Sequence, residues 1–233
     1  MHTQTFFLLL SFFTAAALSA SPALAECGDD INGERVACRC GDVVVSDTTL
    51  MATDPVASQA CISDGLLLRA RKGAKSIRLD LNGLTLQGSG VGAGVRVVDG
   101  GSNGAVITGS NKGGGATITG FRVGVSARGR RLLASLEHVV AADNATNGIV
   151  VDALNAHLDH VVAIHNGRDG LQLGGRGSTA TNVRTMKNGG HGVRLRGAGN
   201  TASGISTKNG LDSTKAIGRA NTLNMNTTSG SGE

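Results

Sequence analysis

Residues 136–157 read LEHVVAADNATNGIVVDALNAH, residues 158–179 LDHVVAIHNGRDGLQLGGRGST, and residues 180–201 ATNVRTMKNGGHGVRLRGAGNT. Laid over one another at a period of 22, they place Asn144, Asn166 and Asn188 in one column and Gly148, Gly170 and Gly192 in another. A branched apolar residue follows each glycine: Ile149, Leu171 and Val193. A fixed period of this length marks a solenoid, in which no coil buries its apolar face alone and each packs on the next. A propeller blade needs roughly 40–50 residues, and the L-x-x-L-x-L-x-x-N frame of leucine-rich repeats is missing. Short strands joined by turns, each pairing with its equivalent one coil away, fit the period: an all-β parallel β-helix with coils of about 22 residues.

The columns then acquire physical roles. Val139, Val161, Val183 and Ile205 are expected to form one inward aliphatic file, Ile149, Leu171 and Val193 a second, and Val151, Leu173 and Leu195 a third. The asparagines form a ladder at a corner, where their amides satisfy turn backbone groups that burial would otherwise orphan. Upstream, Ile77–Leu81, Leu84–Leu86, Val95–Val98, Ala105–Thr108, Ala116–Thr119 and Val123–Ser126 carry strand-and-turn punctuation. A short helical piece is expected only near residues 130–137 (RRLLASLE).

The chain opens with an apolar run, Phe6 to Leu18, followed by Pro22 and the triplet Ala23-Leu24-Ala25. This pattern predicts a cleaved secretory leader over residues 1–25, although its first residues contain no Lys or Arg. The run is shorter than the ~20 residues needed to span a bilayer, so no stable membrane insertion is expected after cleavage. Four of the five phenylalanines leave with the leader, and Phe121 is then the one aromatic in a chain without Trp or Tyr. The core is therefore aliphatic. Residues 26–75 are expected to form an N-terminal cap and first coil, 76–210 the coils, and 211–233 an irregular tail, since the 22-residue register slips after Asn209.

Lys and Arg total 22 against 17 Asp and Glu, a net charge of +5. Nucleic acid is not the expected partner of an exported chain that lacks stacking aromatics; an acidic polysaccharide or cell-surface glycan is. Cys27, Cys38, Cys40 and Cys61 suggest two disulfides in an oxidising, secreted or periplasmic setting. Cys38 and Cys40 are too close to pair, which leaves Cys27–Cys38 with Cys40–Cys61, the favoured set, or Cys27–Cys40 with Cys38–Cys61.

The repeat, and the opening CGD…DTTL…C…GLLL…IRLDLNGLTLQGSG from Cys40, resemble the right-handed parallel β-helix of the pectate-lyase-like superfamily. The likeness covers roughly Cys40 to Asn209. It implies a capped first coil and a surface that handles acidic sugar chains. The superfamily also holds adhesins and accessory proteins, so a structural or adhesive scaffold is the alternative, and fold alone does not choose between them.

Departures from the repeat locate the candidate site. Asp143, His165 and Lys187 share one file, Asn147, Asp169 and His191 a second, and Val150, Gln172 and Arg194 a third. His165, Asp169 and His191 are the candidate acid–base groups, and Lys187 and Arg194 the candidate ligands of a uronate carboxylate. Gly190-His191-Gly192 matches a polygalacturonase element without its paired carboxylates, and Leu158-Asp159-His160 repeats Leu136-Glu137-His138 as structure does. Gly174-Gly175-Arg176-Gly177-Ser178 resembles half a calcium nonapeptide with serine where aspartate belongs, so neither calcium nor another metal or cofactor is expected.

Overall fold

The computed structural model describes residues 26–27, 30–31, 34–110, 115–129 and 131–228. The expected leader over residues 1–25 and the last five residues lie outside them. Among the described residues no helix is long and apolar enough to cross a membrane.

The chain winds into a parallel β-solenoid. One nine-stranded sheet runs from Glu26–Cys27 through Leu66–Arg69, Ala93–Asp99, Val123–Arg128, Ile149–Leu154, Leu171–Arg176 and Val193–Ala198 to Thr214–Arg219. The other two sides of each coil belong to a single bent sheet, whose arms meet in the strand Thr179–Met186. In four coils a left-handed residue sits at that bend: Asn82, His138, His160 and Asn182 all have φ near +50°. A corner this tight leaves the two arms continuous.

The anticipated files are present in register. Ile149 pairs with Leu171 and Leu171 with Val193, Val151 with Leu173 and Leu173 with Leu195, and all six are fully buried. Asn166 Oδ1 accepts from the Asn144 backbone N–H (3.1 Å) and Nδ2 (3.0 Å), while Asn166 Nδ2 donates to Ala141 O (3.0 Å) and Asn188 Oδ1 (2.9 Å). The ladder continues to Asn209. At its other end the backbone N–H of Phe121, the ring of which is completely buried, donates to Asn144 Oδ1 (3.0 Å). A second ladder, not anticipated, stitches the opposite corner: Ala156 N–H to Ser178 Oγ, Ser178 N–H to Asn200 Oδ1, and Asn200 N–H to Asn221 Oδ1. Ser178, at the aspartate position of the calcium-like stretch, is thus a structural hydroxyl.

Three expectations are corrected. Residues 134–137 are a strand rather than part of a helix, because Leu132, Ala134 and Leu136 are buried in strict alternation, the period of a strand. Ile205 does not join the inward file. A bulge between Ala180 and Val183 shortens the coil by one residue, so Gly204 pairs with Val183 while Ile205 pairs with Arg184 and is 48% exposed. That same bulge absorbs the slip seen after Asn209, and the segment expected to be irregular instead adds the strands Thr214–Arg219 and Thr222–Thr228. Among the described residues nothing packs over this last coil, where Leu223 and Met225 are only half-buried.

At the other end, the disulfides are Cys27–Cys38 and Cys40–Cys61, the favoured pairing. Asp54 is buried beside them and accepts from Arg35 Nη1 (2.8 Å) and Nη2 (2.6 Å), Met51 N–H (2.8 Å) and Cys38 N–H (3.1 Å). Burial alone raises its carboxyl pKa, but these donors outweigh it and hold the group below the ordinary value. Asp64 is lowered in the same way: burial opposes, and Arg96, the Ala93 N–H and Arg122 prevail. A carboxyl with a depressed folded pKa contributes stability above the unfolded value of about 3.9, and loses it as pH falls through the folded value. The melting temperature should therefore be flat above about pH 5 and drop below about pH 4, less steeply in Asp54→Asn, as scanning calorimetry across pH would read.

Candidate functional site

The outer face of the nine-stranded sheet carries a groove parallel to the solenoid axis. Its floor is one outward file in which Arg96 pairs with Ser126, Ser126 with Val150, Val150 with Gln172, Gln172 with Arg194, and Arg194 with Lys215. One wall is built from turns that hydrogen-bond coil to coil: Thr146 N–H to Arg122 O, Arg168 N–H to Thr146 O, and Gly190 N–H to Arg168 O, each 2.8 Å. Arg122 and Arg168 therefore project from the same rim, two coils apart. Arg128 and Arg196 complete a lining of seven cations, and Asp169 is the one carboxylate among the lining residues. Six strands at roughly 4.7–4.9 Å give the groove a length of about 24 Å.

The anticipated patch divides here. Asp169, His191 and Arg194 line the groove, with Asn147 and Gln172 beside them and Val150 buried beneath. His165 and Lys187 do not line it. They occupy left-handed corner positions (φ +54° and +53°) at the far side of the asparagine ladder, with Asp143 (φ +51°) one coil earlier. The His165 ring lies 3.7 Å from the Asp143 carboxylate, and both are well exposed. The ladder separates the two groups, since the residue before each asparagine faces one sheet and the turn after it faces the next.

Within the groove Asp169 is 6% exposed and both its oxygens are engaged. Oδ1 accepts from the His191 N–H (3.0 Å) and Oδ2 from Arg194 Nη1 (3.3 Å). Gly190 has to be glycine because a Cβ there would lie 2.6 Å from Asp169 Oδ1. These contacts make Asp169 a strap that sets the positions of His191 and Arg194. The His191 ring is also held: its Nδ1 lies 3.0 Å from the Asp212 carbonyl, which can only accept, so Nδ1 carries a proton. Arg194 Nε is buried with no partner among the described residues.

A different cluster occupies the bend of the other sheet. The His138 and His160 rings stack at 5.0 Å. Asp159 accepts from Thr181 Oγ1 (2.7 Å), Asn182 Nδ2 (2.8 Å) and His160 Nδ1 (2.7 Å). The Thr181 bond, against a smaller opposing effect of burial and with Asn182 and His160 adding to it, holds the Asp159 carboxyl far below the ordinary carboxylate range. Among the described residues no group of three or more His, Cys, Asp and Glu side chains gathers to hold a metal ion.

No protein-family model, curated protein or solved structure matches the chain.

Sequence reasoning missed Arg96, Arg122, Arg128, Arg168, Arg196 and Lys215. Strand alternation marks Arg96, Arg128, Arg196 and Lys215 as outward, but Arg122 and Arg168 sit in turns that carry no such signal. The coil spacing is also not constant upstream of residue 136, so a fixed period cannot carry the file back to Arg96.

Proposed function

We propose that the protein is an exported β-helix of the pectate-lyase-like type that binds an extended acidic polysaccharide along the arginine groove. The observation that carries this reading is the excess of seven cations over one lining carboxylate, along a groove parallel to the axis and about as long as several sugar units at the 4.7–4.9 Å coil spacing. Among the described residues only Arg96 and Arg194 of the seven are ion-paired, to Asp64 and Asp169. Arginine forks match carboxylates and sulfates in bidentate geometry. With no Phe, Tyr or Trp among the lining residues, charge rather than stacking on such rings is the main source of affinity. Export, to the exterior or periplasm, is supported by the leader-like first residues and by two disulfides. Because both oxygens of Asp169 are taken, its part is to position Arg194 and His191 rather than to exchange protons.

Titration calorimetry with polygalacturonate, alginate and a neutral glucan tests the proposal. The anionic polymers should bind and the glucan should not, with affinity falling as salt rises. Arg168→Ala and Arg194→Ala should each weaken binding by about tenfold, in line with roughly 1.4 kcal/mol for one charge-assisted contact. Equal affinity for the neutral polymer, or insensitivity to salt, would sink the reading. Absorbance of unsaturated products during the same incubations reads out any lyase activity. No binding to any anionic polymer would favour the scaffold alternative.

A further inference from the structure

The outer face of the bent sheet carries an apolar island. In the arm that follows the bend, one outward file runs Thr85, Thr117, Val140, Val162, Arg184, Ile205, and the next runs Gln87, Thr119, Ala142, Ile164, Met186, Thr207. The first is apolar over two consecutive coils, Val140 and Val162, and is interrupted by Arg184 before Ile205; the second is apolar over three, Ala142, Ile164 and Met186, and polar on either side. Val140, Val162, Ile164 and Met186 are half-buried although they point away from the core, whose interior on the same strands is filled by Val139, Ala141 and Ala163. A contiguous apolar face bounded by polar residues marks a contact surface, which isolated exposed aliphatics do not.

We propose that this face pairs with the same face of a second copy, as a two-fold dimer whose axis passes through the coil of Val162 and Ile164 and lies along the strands. The argument is the order of charges along the adjoining corner: Asp143, then His165, then Lys187, one per coil. A two-fold axis through the His165 coil reverses this order in the partner, so Asp143 of each copy meets Lys187 of the other. The reversal also matches sizes. Met186 comes over Ala142, the smallest side chain of the island, and the aliphatic stem of Arg184 covers Val140 while its charged head reaches solvent. An axis along the solenoid would instead set the 143–187 corner against the histidine-bearing bend and lose both matches. Isologous pairing of this kind needs only one self-complementary patch.

The consequence for the groove follows from its position on the other sheet. Two copies would present two grooves to one polymer chain or to neighbouring chains, which raises avidity without a new contact. The dimer does not depend on the glycan reading and can fail or stand separately from it.

Sedimentation velocity over a concentration series, without any polymer, tests the proposal. The parent chain should show a concentration-dependent monomer–dimer equilibrium. Asp143→Lys and Lys187→Asp should each weaken it about tenfold or more, since either change converts two attractive pairs, each of up to about 1 kcal/mol, into repulsive ones. The double variant D143K/K187D should return dimerisation to within about threefold of the parent, the signature of a direct pairing in a double-mutant cycle. Folding is not at risk, because this left-handed position already holds Asp143, His165, Lys187 and Lys208 in successive coils. A chain that stays monomeric throughout overturns the proposal. So does a dimer that is indifferent to the single changes, or a double variant no stronger than either single one.

Discussion

Asn166→Ala is expected to destabilise the solenoid by roughly 3–5 kcal/mol, the larger share from buried polar groups left without partners at about 1–3 kcal/mol each. Asn166 is 1% exposed and sits mid-ladder, so its amide serves three coils at once. Removing it orphans the Asn144 N–H, takes a donor from the Ala141 carbonyl, and interrupts the chain of amides from Asn144 to Asn209. Asn166→Asp is no remedy, because a carboxylate cannot donate to Ala141 O or Asn188 Oδ1. Urea unfolding followed by circular dichroism measures the loss. Neighbour-coupled coils also lose cooperativity when one interface weakens, so the transition should broaden or split. A variant within about 1 kcal/mol of the parent would show that water replaces the amide at no cost and that the ladder is dispensable.

Phe121→Ala is expected to cost about 3–5 kcal/mol, the range for removing a buried aromatic from a core that cannot collapse. Phe121 is the largest fully buried side chain described and lies where the ladder begins. Its ring fills space that two glycines leave open: a Cβ on Gly88 would stand 2.5 Å from the ring and one on Gly94 3.1 Å. The backbone N–H bond to Asn144 survives the substitution, so the loss reports packing rather than the ladder. Phe121→Leu, nearer in volume, should remain within about 1.5 kcal/mol of the parent. Thermal and urea unfolding of the two variants side by side separate cavity formation from a general loss of hydrophobicity. Equal destabilisation by Leu and Ala would argue that the ring's shape, rather than its volume, is what the glycines accommodate.

Much of the architecture was legible because burial repeats. Every coil must point an aliphatic residue inward at the same two or three places and satisfy the same corner, so Ile149, Leu171 and Val193 recur with the asparagines at one spacing. The disulfide pairing was legible in part: the closeness of Cys38 and Cys40 excluded a bond between them and left two sets, of which the favoured one is present. The site was legible in part. Asp169, His191 and Arg194 stood out as departures from the repeat and do meet in the groove. His165 and Lys187 stood out equally, yet left-handed corners place them on another face.

What the sequence determined by itself was the inward half of the molecule: coil length, aliphatic files, the first ladder and its glycines. Only the tertiary structure decided the outward half: the bend that fuses two arms into one sheet, the bulge that turns Ile205 out, and the gathering of Arg96, Arg122, Arg128 and Arg168 beside Arg194. The reason is physical. Inward positions are constrained in every coil by close packing and by the cost of orphaned polar groups, which stamps a period on the chain. Outward side chains bear no such constraint, and which of them become neighbours depends on corner conformations and on register accumulated coil by coil.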